Sequence, residues 1–257
     1  MSEFGRRRSV GAIGIGTVIR WVFAVVLCLI ALVPIWWMLS AVLSDGLFGL
    51  AFLNSIEYST TTALLVLLFA SAAAYEFAHY DFPCRRLIYA VCLMGLMLPL
   101  AVIVIPTQRI VASLGWLNTL QGIVLPSTAS AFALFFLTEY MRSIPRELFE
   151  AARVDGAGHF AVYWRIALPV AKNGLVTIGI LIFIIAWASY LWPLVVATNG
   201  SAYPISVKVA GYFAIGAKYP TSIVMTAALI SAIPVIVFYV LFNRLVVDGV
   251  ARSGITG

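Results

Sequence analysis

The ionisable side chains are few, and their spacing excludes most chemistry. A phosphate-cradling loop needs G-x-x-x-x-G-K-[ST], with the lysine reaching the phosphates. The only lysines, Lys172, Lys208 and Lys218, stand in Ala-Lys-Asn, Val-Lys-Val and Ala-Lys-Tyr, and none fits. His79 and His159 each stand alone, without cysteine or carboxylate at metal-ligand spacing; surface or capping roles are expected of them. Cys28, Cys84 and Cys92 have no C-x-x-C spacing, which argues against disulfide and metal roles. Without paired carboxylates or a nucleophile beside a base, the chain is not expected to be an enzyme or to hold a cofactor.

Two other groups can do physical work. The first lies in residues 139–172, the one long polar stretch inside the chain. Ser143 and Pro145 signal a helix start, with Pro145 at the first helical position and Glu147 near the positive end. Gly156 and Gly158 break that helix. A second amphipathic piece, residues 159–167, carries Phe160, Tyr163, Trp164 and Ile166 and is expected to stop before Pro169. Ala151 and Ala152 form a small face that lets a partner's backbone come close. Glu150 can make a charge-assisted bond to a basic partner; in a bland connector it is an ordinary solvated carboxylate. The second group is Trp187, Ser189, Tyr190, Trp192, Thr226 and Ser231. Such rings stack on sugar faces and such hydroxyls bond to hydroxyls, but the same tryptophans also anchor or pack membrane helices.

The elements that position these residues are apolar. Of 257 residues 63% are hydrophobic and 10% charged, with a mean hydropathy of +1.06. Soluble domains carry roughly 25% charged residues, so this chain cannot cover a water-facing surface. The net charge of +6 is spread over loops, which excludes disorder and nucleic-acid binding. Uncharged runs cover residues 21–44, 58–75, 87–108, 110–138, 173–207 and 219–243. About 20 helical residues cross a hydrocarbon core. Residues 115–119 shorten the fourth run, and Thr198-Asn199-Gly200-Ser201 with Pro204 ends the fifth. The expectation is an all-α integral membrane protein of six transmembrane helices, one domain over residues 1–257; barrel alternation is absent. Pro99, Pro106, Pro193 and Pro234 imply kinks.

Lys and Arg distribution sets the orientation. With the N-terminus inside, every one except Arg109, Lys208 and Lys218 falls on the inner side. Both termini and residues 139–172 are therefore expected in the cytoplasm. Arg6-Arg7-Arg8 also fits a secretory or twin-arginine signal, but the run from Trp21 is too long for one and no clean cleavage site follows.

Glu150-Ala151-Ala152, Gly156, Ile166, Leu168 and Pro169 match E-A-A-x3-G-x9-I-x-L-P at every position. This resembles the EAA loop of ABC importer permeases. Elsewhere the chain resembles the MalG-like permeases of carbohydrate importers. The likeness rests on Pro34-x-x-Trp37-Met38-x-Ser40, Asn54-Ser55, Ala74-Tyr75-x-x-Ala78, Phe82-x-x-Arg85, Leu98-Pro99, Ile105-Pro106, Leu117-Asn118-Thr119, Ile144-Pro145-x-Glu147-Leu148 and the tail Gly249–Gly257. Three features depart from the family: Ala188 follows Trp187 where Asn is usual, His79 stands near a usual arginine, and the outer connection at residues 45–53 is short.

The resemblance implies a permease subunit of an ATP-driven importer for a sugar or sugar-like solute, polyols and glycerophosphodiesters included. Glu150, Ala151, Ala152, Asp155, Gly156, Ile166, Leu168 and Pro169 would couple it to the ATPase. Its implied partners are a second permease subunit in a heterodimer, two ATPase subunits that carry the ATP and Mg, and an extracytoplasmic binding protein. The implied location is a bacterial or archaeal plasma membrane. A secondary transporter driven by an ion gradient is the alternative, but it would keep ionisable residues deep in the spans, whereas here they sit near span ends. An intramembrane enzyme would need paired catalytic groups at membrane depth.

Overall fold

A computed structural model describes Trp36, Ser40, Val42, residues 45–214 and residues 219–253. Most of the expected first span, together with Cys28 and Lys218, lies outside these residues. All regular structure among the described residues is helical.

The longest helix, α1 (Gly46–His79, 34 residues), starts where the Asp45 carboxylate accepts the Leu47 N–H at 3.0 Å. It ends at extended Tyr80, and Pro83 prevents its resumption. At 1.5 Å per residue it is about 50 Å long, more than a hydrocarbon core requires. The expected span over residues 58–75 therefore lengthens at both ends. Glu57 interrupts the uncharged run but not the helix, because it is exposed on the surface. Residues 46–53, read as an outer connection, are helix.

The third run is not one straight span. It divides into α2 (Arg85–Met94), a 3-10 turn at Gly95–Met97, and α3 (Leu100–Ser113), with a bend of 103°. Leu98 precedes Pro99, which forces it into the extended conformation. Pro106, by contrast, lies inside α3. After the turn at residues 114–119, α4 (Leu120–Val124) and a 3-10 turn (Leu125–Thr128) lead at 45° into α5 (Ala131–Arg142). The polar segment then forms α6 (Glu147–Val154), α7 (His159–Val162), a π-helical turn (Tyr163–Ala167) and α8 (Leu168–Val170). A 75° bend follows into α9 (Lys172–Ala188); α10 (Leu191–Val196), α11 (Ile205–Ala214) and α12 (Thr221–Ser253) are the remaining α-helices among the described residues.

By length and composition α1 and Thr221–Phe242 can each cross a membrane, and three bent pairs can do so as broken spans. The core forms where α1 packs on α9 and α5. Small residues make the close approach possible: Ala63, Ala70, Ala74 and Ala78 of α1 are buried, and a Cβ at Gly174 of α9 would lie 2.7 Å from the Tyr140 ring of α5. Much of the remaining surface is apolar. Leu87, Val91, Met94 and Met97 on the α2 side, and Leu229, Ile233 and Leu241 on α12, are exposed, which water would not tolerate over so large an area.

Candidate functional site

The polar segment is a bent ledge at one end of the bundle. Arg146, not Pro145, precedes the first helical residue, so the proline acts just before the helix. Phe149 turns inward and is 2% exposed. Glu150, Ala151 and Val154 face outward, with Ala152 half-buried between. Among the described residues the Glu150 and Asp155 carboxylates have no ion pair or hydrogen bond. Gly156 closes the helix at φ +82°, a conformation unfavourable for any residue with a Cβ.

The second piece does not stop before Pro169. It continues as α8 because the preceding turn is π-helical: the Leu168 N–H reaches Tyr163. The wider turn makes room for a proline ring that would strike an ordinary helix. Ile166 and Leu168 are half-buried against the core, and Pro169 is exposed.

An aromatic knot fastens this ledge to the end of α1. Tyr75 lies within 5.4 to 6.1 Å, ring centre to ring centre, of Tyr80, Phe149, His159 and Tyr163. The Tyr163 hydroxyl is 2.8 Å from Ser71 Oγ, and the Arg153 guanidinium stands 4.6 Å from the Tyr80 ring centre. The two histidines, expected at the surface or at caps, belong to this joint. His79 is half-buried with its ring 4.0 Å from that of Phe149. His159 is exposed but bonds to Glu76 at 2.6 Å. Neither role was legible, since each partner lies far away in sequence.

At the other end of the bundle, loops are tied to α1 and to the turn before α4. Asn54 Nδ2 donates to the carbonyls of Ser201 and Tyr203, and the Ile205 N–H donates to Ser55 Oγ at 2.7 Å. Asn118, at φ +59°, accepts the N–H groups of Thr198 and Asn199 at 2.7 and 2.8 Å. The motifs Asn54-Ser55 and Leu117-Asn118-Thr119 thus act as clamps. Asp45 receives bonds from Tyr212 and, at 3.1 Å, Lys208. Burial alone would raise its pKa, but the Tyr212 hydroxyl and Lys208 ammonium outweigh that and hold it below the ordinary carboxylate value.

Between these ends lies a cleft of about 230 Å³ bordered by α1, α4, α5, α9 and α10. Ser189 and Trp192 border it. The other four anticipated path residues are not among its walls. Trp187 is buried, stacks with Phe183 and donates its indole N–H to the Ser231 carbonyl at 3.0 Å. Thr226 and Ser231 bond to their own helix through Ser222 and Ala228, and Tyr190 is exposed. Sequence reading missed Ser55, Tyr58, Ser59 and Thr62, whose spacing along α1 places them on one helical face. That polar stripe in an apolar helix was the available signal.

The profile of the binding-protein-dependent transport system inner membrane components matches residues 67–252, from mid-α1 through the ledge into α12. The chain belongs to that family. It is 34% identical over 210 residues to the sn-glycerol-3-phosphate transport system permease protein UgpE of Yersinia pestis, covering 80% of this chain and 74% of the relative. It is 32% identical over 214 residues to the diacetylchitobiose uptake system permease protein NgcG of Streptomyces coelicolor, covering 82% and 70%. The fold resembles a chain of a bacterial ABC transporter involved in alginate import, with a TM-score of 0.71 at 24% identity over 94% of this chain and 99% of that one. A chain of the MetNI methionine ABC transporter matches with a TM-score of 0.59 at 18% identity, covering 84% and 98%. The protein is a multi-pass membrane permease subunit of an ABC importer, in keeping with its MalG-like resemblance. These relatives are transport components, not enzymes, and none supports an ion-gradient mechanism.

Proposed function

We propose that this permease forms half of a translocation path for a sugar or sugar-like solute, beside a second permease subunit. Its relatives are named for glycerol phosphate, arabinooligosaccharides and diacetylchitobiose. In this reading the chain crosses a bacterial or archaeal plasma membrane six times, residues 21–44 supplying the first span, with both termini and the ledge in the cytoplasm. An extracytoplasmic binding protein delivers the solute at the clamped end. ATP and Mg act in two partner ATPase subunits.

The observation that carries the coupling role is the two-sidedness of α6: Glu150, Ala151 and Val154 are free to meet a partner, while Phe149 is locked to α1. Glu150, Ala151, Ala152, Asp155 and Gly156 make the outward joint. Ile166 and Leu168 hold the second arm against the core, and Pro169 stands on its exposed side just before the turn into α9. Closure of the ATPase dimer pushes the ledge, the aromatic knot passes the movement to α1 and α9, and the path turns outward. Hydrolysis resets it.

Replacing Glu150 with Lys tests this. Losing a hydrogen bond to a charged group costs roughly 1.5–3 kcal/mol, so capture of the ATPase by the purified permease pair should fall at least tenfold, and transport with it. Normal capture and transport would make the segment a plain connector.

A further inference from the structure

We propose that the cleft binds an uncharged polyhydroxylated solute and rejects one carrying phosphate or carboxylate; this rests on the sugar-class reading and narrows it. Ser55, Ser59 and Thr62 of α1 face Ser127, Ser130 and Ser189 across the cleft. Ser59 carries the argument. It is 1% exposed, and its Oγ is buried without a hydrogen-bond partner among the described residues. A buried hydroxyl in that state is unfavourable until a ligand satisfies it.

The surrounding groups show what kind of ligand satisfies it. Ser55 Oγ already accepts the Ile205 N–H, and Ser130 Oγ accepts that of Ala133, so each hydroxyl proton remains available to donate. Ser59 can donate and accept. Such a mixture matches sugar hydroxyls, which also do both. An anion instead needs donors and a counter-charge, and among the described residues no Lys, Arg or His borders the cleft. Phosphate entering from water would lose its hydration without compensation.

The apolar walls fit the same ligand. Trp192 is fixed by its indole N–H on the Ile123 carbonyl at 2.9 Å, and with Phe132 it offers flat surface to the C–H face of a sugar ring. At about 230 Å³ the cleft is smaller than the roughly 300–1,000 Å³ of complete ligand pockets. It holds part of the solute and leaves the rest to the other half of the path.

The test uses the complete reconstituted transporter in proteoliposomes. Uptake and solute-stimulated ATP hydrolysis are measured with neutral oligosaccharides of two to four units, a uronate oligosaccharide and sn-glycerol 3-phosphate. Neutral sugars should stimulate both. Ser59→Ala and Thr62→Val should each raise the KM for uptake about three- to tenfold, the worth of one neutral hydrogen bond. Thr62→Ser, which keeps the hydroxyl, should stay near wild type, and co-purification should show assembly retained. Stimulation by the phosphate or uronate compound alone, or an unchanged KM in both hydroxyl-deleting variants, overturns the proposal while leaving the sugar-class reading intact. Stimulation only by a solute that is not sugar-like overturns that reading and the proposal together.

Discussion

Phe149→Ala should separate docking of the ATPase from transmission of its movement. The ring is 2% exposed and sits 4.0 Å from His79 and 6.1 Å from Tyr75, centre to centre. Truncating a fully enclosed Phe costs about 3–5 kcal/mol from lost burial and the cavity left behind. The α6 helix is short and lies at the edge of the bundle, so it can partly settle into the gap; about 3 kcal/mol is the appropriate end of that range. At 1.4 kcal/mol per tenfold, this shifts the balance between seated and unseated α6 by about 100-fold. Glu150, Ala151 and Val154 point the other way and keep their surface. The variant should still capture the ATPase, and ATP hydrolysis should persist. Uptake into proteoliposomes should fall tenfold or more. Phe149→Leu, which refills most of the space, should lie between. Wild-type uptake by Phe149→Ala, or loss of ATPase capture as complete as the loss of uptake, would refute a role for the knot as transmitter.

Gly156 needs its positive φ and not its small size, because a Cβ there meets nothing within 4 Å; uptake should fall strongly with Gly156→Val and much less with Gly156→Asn, which tolerates that conformation. At Gly174 the limit is space: Gly174→Val drives carbon into the Tyr140 ring and should destabilise the protein by about 1–3 kcal/mol, seen as a lower Tm in detergent, with partial rescue by Tyr140→Leu. The folded-state pKa of Asp45 is depressed by Tyr212 and Lys208, so its link to α11 contributes above the unfolded carboxylate value, about 3.9, and is lost as pH falls through the lower folded value. Thermal stability measured from pH 6 downward should drop more steeply in the wild type than in Asp45→Asn; identical profiles would show that the latch adds nothing.

Composition alone determined that this chain is helical and lies in a membrane, because uncharged runs of such length have no other stable state. The ledge was also legible. Its charges interrupt the apolar pattern, and Glu150, Ala151, Ala152, Gly156 and Pro169 follow a fixed local spacing. Proline positions marked breaks, although only the structure showed that Leu98-Pro99 turns the chain by 103° while Pro106 does not end its helix. The cleft was not legible. In a membrane helix both the lipid-facing and the protein-facing sides are apolar, so hydropathy does not reveal which face turns inward. Ser59 could be recognised as polar, but Ser130 and Ser189, its neighbours across the cleft, lie more than seventy residues away. Phe149 on His79 and Asn118 on Thr198 are likewise far apart in sequence. Each contact depends on how small residues such as Gly174 and Ala74 let sequence-distant helices approach, and that is a property of the packed bundle.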